Sequence, residues 1–498
     1  MGRSASRHAR AGDVDGPPDG GLLRALALTL ASALVWGVAH LVVGRRLAGG
    51  LLLALYLVLA TSLAVAATAY RSDLPQLAVQ PDMLERLTAA LVVLGVVWIA
   101  VVIRSYQVLC PAGMSGGARS LGIVTVSVLC LTVAVPAGWS AHKSYVARDA
   151  LTSIFRTGNE NGRHVDVDDP FDGQPRVNVL LIGGDAAENR SGVRTDSMTV
   201  ASVDTETGDT VLLSLPRNLE GFPLPPGPAR DRFPYGFTGD GPQTPGLLNE
   251  VYQYAEDHPD VVPGVPKNHR GPELLKATIA GILGLRVDYY ILVDMFGFAD
   301  IVDAMGGVKI RVDQAIPYGL RGDVLQPGYR KLSGKEALWY GRSRTNSSDY
   351  VRMGRQKCLM RAIAEQADPQ TVLTSFDKLA AAAKRTLSTD IPQELLPALV
   401  KLSNKVKSGA EINSLQFVPP LIYTGSPDFD LIRRLASDAV NTGPRQVSSH
   451  PSTSPPTVSP PVAGPSGSPS ETGTPSNDGG TPTKAPSKPV SLEASCPS

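Results

Sequence analysis

The sequence predicts an α/β domain placed behind an N-terminal membrane region with several helical spans. Two observations predict this architecture. About the first 140 of the 498 residues contain long apolar runs without charged residues. From about residue 175 to residue 440, short β-rich segments alternate with segments of helical periodicity.

The membrane region is predicted from uncharged runs of sufficient length. Each crossing needs about 20 apolar residues, and we predict spans at about 48–69, 87–103 and 120–138. An earlier apolar stretch, residues 22–43, contains basic residues and is predicted to lie at the interface or to form an additional span. The transmembrane region as a whole is therefore placed at residues 22–139.

The charges of the short loops predict the orientation in the cell membrane. Cytoplasmic loops are enriched in Lys and Arg. The loops with Arg45, Arg46, Arg104 and Arg119 contain no acid, whereas the loop 70–86 contains three. This pattern predicts a multi-pass protein with a cytoplasmic tail at 1–21 and a large extracytoplasmic C-terminal domain.

Composition excludes some classes of function. The formal net charge is +1, which is too neutral for a general nucleic-acid binder, so we expect no nucleic-acid partner. Four scattered cysteines show no metal-binding spacing, and we predict neither a zinc site nor a disulfide framework. Residues 441–498 are rich in Pro, Ser and Thr and are predicted to be a disordered tail, and residues 140–174 a linker.

The predicted α/β domain, residues 175–440, begins with three strands. Residues 176–184 form a β-rich run ending in two glycines, and 197–204 and 210–217 form an antiparallel hairpin. Further along, helices are predicted at 270–283, 296–305, 332–342 and 348–367, and strands at 287–295, 308–313 and 414–421. A long Pro/Gly-rich loop at 220–246 is typical of functional loops.

Motifs of nucleotide binding, zinc proteolysis and serine hydrolysis are absent from the sequence. There is no GxxxxGK[ST], no GxGxxG between a strand and a helix, no HExxH and no GxSxG. The chemistry must therefore come from charged residues without these motifs.

Charged residues follow the ends of the first strands. Asp185 comes directly after the two glycines, Arg194 and Asp196 begin the next strand, and Arg217 ends the third. Two carboxylates at adjacent strand ends are suited to sharing Mg²⁺ with substrate phosphates. Taken singly, each residue also fits a turn, a surface ion pair or a solvated side chain.

Further arginines lie in residues 339–356. Arg352, Arg355 and Gln356 have i, i+3, i+4 spacing on one helix face, and Arg342 and Arg344 precede them. Guanidinium groups match phosphate geometry, so the cluster indicates an anion site on the extracytoplasmic side. An ordinary solvated helix face remains the alternative.

In order along the chain, these segments resemble the LytR-CpsA-Psr family of cell-wall ligases, of the actinobacterial type. The resemblance covers about residues 175–370. It is carried by "NVLLIGGD", "RTDSMTVASVDTETGDTVLLSLPRN", "LNEVYQYA", "GLRVDYYILVDMFGFADIVDAMGGVKIRV", "LQPGYRKLSGKEALWYGRSR" and "DYVRMGRQ".

The resemblance implies both a fold and an activity. It implies a mixed-sheet α/β/α sandwich and a phosphotransferase that moves a glycopolymer from a polyprenyl-pyrophosphate carrier to peptidoglycan. Asp185 and Asp196 match the family's Mg²⁺-associated acids. The family's pyrophosphate-facing positions match Arg194, Arg217, Arg342, Arg344, Arg352, Arg355 and Gln356, and we predict Asp196, Arg194 and Arg217 to be catalytic.

Three positions depart from the family pattern. Ala187, Asn218 and Leu247 stand where the family has an Arg, an Asp and a Lys. Because each change removes charge from the head-group site, two rival functions stay open. One is a protein that binds lipid-linked glycopolymer without turnover, and the other is a lipid pyrophosphatase. An apolar tunnel for the prenyl chain is expected from residues 274–305 and 351–400.

Overall fold

The structure is a computed structural model. It describes residues 20–69, 74–110, 116–155, 165–166, 168–185, 193–241, 244–319, 322–344, 348–366, 375–441, 488–492 and 496. The chain divides into two compact units, residues 1–167 with 392–401 and residues 168–391 with 402–498.

The first unit consists of helices. Their bounds are α1 Gly20–Leu34, α2 Val38–Val42, α3 Arg46–Ala69, α4 Leu74–Leu77, α5 Pro81–Leu109 and α6 Gly116–Ile154. Helices α3, α5 and α6 are long and apolar enough to cross a membrane, and they contain the three predicted runs. Helix α6 continues to Ile154, so it includes the first part of the stretch predicted as a linker, residues 140–174.

The apolar stretch 22–43 forms two helices with a break between them. At the break, Gly37 has φ 92°, which favours glycine. A Cβ at this position would lie 2.3 Å from the carbonyl oxygen of Gly49 in α3. The close approach of α3 therefore requires glycine here. Helix α1 has 15 residues, fewer than the ~20 of a typical crossing, and its membrane placement stays a prediction.

The second unit has an α/β architecture. Its strands are β1 Arg176–Asp185, β2 Arg194–Asp204, β3 Thr210–Leu215, β4 Tyr289–Asp294, β5 Val308–Val312, β6 Ile316–Tyr318, β7 Asp323–Leu325, β8 Gly328–Leu332, β9 Leu387–Thr389, β10 Ile412–Gln416 and β11 Val490–Ser491. Its helices are α7 Pro228–Arg232, α8 Val251–Asp257, α9 Arg270–Leu283, α10 Met295–Ala304, α11 Gly334–Arg342, α12 Asp349–Gln366, α13 Phe376–Thr386, α14 Leu396–Lys407 and α15 Phe429–Asn441. Of α14, only the residues from Leu402 onward belong to this unit.

The main sheet is mixed, as the sequence predicts. Its described strands have the order β11-β10-β3-β2-β1-β4-β9. Strand β2 is antiparallel to both β1 and β3, while β1–β4 and β3–β10 are parallel pairs. The remaining short strands form two-stranded sheets, β5 with β8 and β6 with β7.

Alternate residues of the strands pack on opposite faces of the sheet. On one face, Leu180, Ile182 and Leu213 are fully buried in the largest core, together with Leu275 of α9 and Ile432 of α15. We call this the packed face. The opposite face, formed by the intervening residues, is covered in part by α11 and α12, and we call it the open face. Helices on both faces confirm the α/β/α sandwich.

Local sequence signals explain the helix that ends at the predicted site. Ser333 is the N-cap of α11: its hydroxyl accepts a hydrogen bond from the Glu336 amide, and the Glu336 carboxylate accepts one from the Ser333 amide. At the end of α9, Gly284 has φ 65°, as expected of a glycine C-cap.

Three expectations from the sequence differ from the structure. The strand predicted over 414–421 ends at Gln416. The prediction of no disulfide fails because Cys358 and Cys496 are bonded, with their Cα atoms 5.4 Å apart. The last part of the predicted disordered tail is also ordered, since β11 pairs with β10. Residues 442–487 of that tail lie outside the described residues.

Candidate functional site

The site begins at an irregularity between β1 and β2. Their register steps from the pair Gly183–Ser197 to the pair Gly184–Thr195, so Asp196 has no partner on β1. Such a β-bulge re-aims a side chain, and bulges are common beside active sites. The Asp196 carboxylate accepts a hydrogen bond from Nη1 of Arg217, which follows β3.

The other predicted acid lies at the end of β1. Asp185 is 4% exposed, and its Oδ2 lies 2.9 Å from Nη2 of Arg342, the last residue of α11. The preceding glycine is needed for close approach of the strands: a Cβ on Gly184 would lie 2.9 Å from Cγ1 of Val193. Asp185 and Asp196 are therefore each paired with a different arginine.

Asp349 joins three of the predicted arginines. Its carboxylate lies 3.1 Å from Nη2 of Arg352, 3.5 Å from Nε of Arg217 and 4.0 Å from Nε of Arg344. Through Arg217, this group also includes Asp196. The first residue of α12 is thus the common partner of arginines from three segments of the chain.

Arg352 is the most deeply buried arginine of this group, at 2% exposure. Burial lowers the pKa of its guanidinium, Arg217 and Arg344 lower it further, and Asp349 and Asp196 raise it. An arginine remains charged at neutral pH despite such a shift. The structure therefore holds a fixed positive charge beside Asp349.

Arg355 and Gln356 bond to the end of α11. Nη1 of Arg355 donates to the carbonyl of Ser343 at 3.1 Å, and Nε2 of Gln356 donates to the carbonyl of Gly341 at 3.1 Å. Carbonyls at a helix C-terminus lack intrahelical donors, so these bonds fix α11 against α12. They link the helix that carries Arg342 to the helix that carries Arg352.

Arg194 differs from the other predicted residues. It is exposed at the first position of β2, opposite Asp185 in the strand register. Within the described part of the chain, no side chain pairs with it. The structure therefore brings eight of the nine predicted site residues into contact with one another, with Asp349 or with the end of α11, and leaves Arg194 at the rim.

An apolar cavity of about 220 Å³ lies between the open face and the helices α11 and α12. Apolar side chains from both sides line most of it: Leu181, Ile291, Val293, Met295, Phe298, Leu338, Leu359 and Met360. Arg342 and Gln356 also line it. One cavity thus combines an apolar interior with residues of the charged cluster.

The residues that line this cavity agree only in part with those expected to line an apolar tunnel. Several residues within 291–298 and 356–360, both inside the expected segments, line it. Leu274, Leu275 and Ile279 instead belong to the core of the packed face. Strand β1 and helix α11 contribute to the wall, which the sequence reasoning missed. The reason is that helical periodicity identifies an apolar face but not the element against which it packs.

The departures from the family pattern have different surroundings. Ala187 lies outside the described residues. Nδ2 of Asn218 lies 3.3 Å from Oγ1 of Thr424, which places this amide against a neighbouring loop. Leu247 is half-buried, and its amide donates to Oε2 of Glu250 at 3.1 Å.

Sequence reasoning also missed two residues beside Arg217. Asp349 was the one acid within the arginine-rich segment, and its i, i+3 spacing to Arg352 was a usable signal. Asn249 is buried, and its backbone N–H donates a hydrogen bond to the backbone carbonyl of Arg217 at 3.0 Å. No spacing in the sequence predicts that contact, because it joins the two ends of a long loop.

The acids of the site offer few ligands to a divalent ion. Asp185 and Asp196 offer hard oxygen ligands, but the described residues contain no group of three or more His, Cys, Asp or Glu side chains suited to a metal. Mg²⁺ is commonly held by one or two carboxylates together with substrate phosphates. The two carboxylates therefore fit an ion that takes its remaining ligands from a bound substrate, and they do not form an all-protein cage.

Comparisons with known proteins point to one family. The sequence model of the LytR_cpsA_psr family matches residues 150–421. A protein of Oceanobacillus iheyensis, named polyisoprenyl-teichoic acid–peptidoglycan teichoic acid transferase TagU, is 26% identical over 51% of this chain and 70% of its own. A protein of the same name from Bacillus cereus is 26% identical over 44% of this chain and 61% of its own. The crystal structure of TagV from Bacillus subtilis is 22% identical over 54% of this chain and 98% of its own, with a TM-score of 0.37.

Proposed function

Because the chain belongs to the LytR_cpsA_psr family, we propose that it is a membrane-anchored phosphotransferase that attaches glycopolymers to peptidoglycan. The donor is a polyprenyl-pyrophosphate-linked glycopolymer. The observation that carries the proposal is the position of Arg342. This residue lines the apolar cavity and also pairs with the buried Asp185, so lipid and phosphate groups have adjoining places.

The cavity and the arginines suit the two parts of such a donor. An apolar chain gains free energy by leaving water for an apolar cavity. The site's six predicted arginines exceed Asp185, Asp196 and Asp349 by three positive charges, which favours an anionic pyrophosphate. The contacts already present keep five of these arginines, all but Arg194, in place before substrate binds, so little reorganisation is required.

The side chains then act by positioning and charge. Phosphoryl transfer requires little covalent assistance, and charge neutralisation carries most of the catalysis. Arg217 and Arg352 stabilise negative charge on the departing polyprenyl phosphate. Asp196, oriented by Arg217, accepts the proton of the attacking peptidoglycan hydroxyl.

A Mg²⁺ ion is part of this proposal. Asp185 and Asp196 are the residues that would hold it together with the pyrophosphate oxygens. When bound, the ion neutralises phosphate charge.

Transfer is tested by incubating the detergent-solubilised full chain with labelled lipid-pyrophosphate glycan, with and without peptidoglycan. We expect label on peptidoglycan only when peptidoglycan is present. Release of soluble glycan phosphate at the same rate without peptidoglycan would identify a pyrophosphatase. Retention of intact lipid-linked glycan in both reactions would identify a binding protein without turnover.

The proposal also places the α/β unit outside the cell and the protein in the cell membrane through several spans. Helices α3, α5 and α6 support anchoring. The test is the variant Asp166→Cys in a background with Cys110→Ser and Cys130→Ser, with Arg45→Cys as the matched control. An impermeant thiol reagent on whole cells should label position 166 and not position 45. The reverse pattern contradicts the orientation.

A further inference from the structure

Helix α12 carries much of the site but has an unusual environment. Arg352 and Arg355 lie on it, and Gln356, Leu359 and Met360 line the cavity. Leu359 and Ala362 pack α12 into a small core with α11 and β5. On the side of the main sheet, however, the cavity lies between α12 and the strands, so apolar packing there is incomplete. Because close packing normally fixes a helix in position, the attachment of α12 to the main sheet depends on other contacts.

Within the described residues, the contacts that attach α12 to the β10–β11 edge of the main sheet begin at Lys357. Nζ of Lys357 lies 3.3 Å from Oγ of Ser414 in β10. Cys358 forms the disulfide with Cys496. One turn further, Nη1 of Arg361 lies 3.4 Å from the carbonyl of Leu492 and 3.5 Å from that of Cys496.

The C-terminal segment is itself attached to the sheet. Val490 and Ser491 form β11, which pairs with Ser414 and Asn413 of β10. Leu492 and Cys496 are 6% and 5% exposed. A two-residue strand is too short to be stable alone, and the disulfide supplies the attachment that backbone pairing cannot.

We propose that residues 488–492 and Cys496, with the Cys358–Cys496 disulfide, form a C-terminal clamp that positions α12 for the lipid pyrophosphate. The clamp connects the cavity wall and the arginines of α12 to the edge of the main sheet. It rests on the proposed function, and it assigns a positioning role to two cysteines that touch no substrate. Disulfides persist in oxidising compartments, which agrees with the proposed extracytoplasmic location.

The clamp accounts for the local sequence of α12. The consecutive residues Gln356, Lys357 and Cys358 contact, in turn, the end of α11, strand β10 and the C-terminal segment. A shift of α12 by one position would break all three contacts at once. The same shift would move Arg352 and Arg355, and a misplacement of ~1 Å in a catalytic site can lower the rate by about 100-fold.

The test compares the full chain in detergent with Cys496→Ser and Cys358→Ser. The matched control is Cys110→Ser, which removes an exposed free cysteine. We expect the clamp variants to bind polyprenyl phosphate about 10- to 100-fold more weakly, the scale expected for a displaced site. The control should bind like the wild type. Thermal midpoints and circular dichroism show whether each variant is folded.

A second variant keeps the test decisive if loss of the disulfide prevents folding. Arg361→Gln removes the guanidinium that bonds to Leu492 and Cys496 and leaves the disulfide intact. We expect a smaller loss of affinity in the same direction, with more effect on KM than on kcat.

The outcomes separate the two proposals. If the wild type binds polyprenyl phosphate and every clamp variant binds it equally well, the clamp is only a structural link and the inference is overturned. If the wild type itself does not bind polyprenyl phosphate, the proposed function fails first.

Discussion

The two faces of the main sheet are built from neighbouring residues of the same strands but differ in how they are covered. On the packed face, Leu180 and its neighbours are buried against α9 and α15. On the open face, Leu181 and Val293 face a cavity of about 220 Å³ under α11 and α12. The packed face supplies most of the buried apolar surface, which leaves the open face free to hold a ligand.

The difference also explains the polar character of the helices on the open face. Arginine–carboxylate pairs, bonds to helix carbonyls and a disulfide attach α11 and α12 there. Charged contacts of this kind contribute less to stability than an apolar core, but they fix geometry. The comparison therefore predicts that stability and substrate binding depend on opposite faces.

The largest expected effect is on stability, and it comes from comparing two adjacent residues of β1 that lie on opposite faces of the sheet. Leu180→Ala removes a fully buried side chain of the packed face and should lower the free energy of unfolding by about 2–5 kcal/mol. Leu181→Ala on the open face should lower it less and weaken polyprenyl-phosphate binding more. Denaturant unfolding measures the free energy of unfolding of each variant, and a lipid-binding assay measures its affinity for polyprenyl phosphate. Equal effects of the two changes would remove the distinction between the faces.

The next effect concerns the carboxylates at the strand ends. Asp196→Asn and Asp185→Asn should each reduce glycopolymer transfer by about 10²–10³-fold, the usual loss when charge stabilisation is removed. Excess chelator should reduce wild-type transfer as well, because Mg²⁺ is proposed to bind there. Full transfer in both variants and in chelator would make the two acids structural residues only.

Asp349 is expected to affect stability and activity together. Asp349→Asn removes the negative charge shared by Arg217, Arg344 and Arg352. Since Arg352 is almost fully buried, the loss of its charged partner should lower the free energy of unfolding by about 1–3 kcal/mol. Asp300→Asn, which removes an acid paired with Arg385 on the surface, is the control and should change stability by about 0–1 kcal/mol. Equal midpoints for the two variants would contradict the role of Asp349.

The smallest effects on stability are expected from Arg→Lys changes at Arg342, Arg344, Arg352 and Arg355. Lysine keeps the charge but lacks the planar fork that binds phosphate in two places. Arg344 is half exposed, so Arg344→Lys should change stability by about 0–1 kcal/mol while weakening polyprenyl-phosphate binding. Unchanged affinity in all four variants would leave the cluster as ion pairs without a ligand.

Much of the fold could be predicted because its signals are local. Apolar run length predicted α3, α5 and α6, the capping box at Ser333 predicted α11, and the alternation in 197–217 predicted the hairpin of β2 and β3. The predicted charged residues of the site could be selected because strand ends and helix faces follow from the same periodicities.

The remaining features depend on long-range contacts. The disulfide joins Cys358 to Cys496 across 138 residues, and no spacing rule relates the two. The bulge at Asp196 arises from pairing with β1 and is not visible in β2 alone. The cavity requires knowledge of which faces meet, so its wall was only partly predicted.

The most direct test of the account fills the cavity without changing a charged residue. Val293→Trp places a large side chain in the cavity from β4, and the test measures polyprenyl-phosphate affinity together with the thermal midpoint. We expect loss of lipid binding, with a midpoint close to that of the wild type. A folded Val293→Trp protein that binds polyprenyl phosphate with wild-type affinity would contradict the placement of the lipid in this cavity.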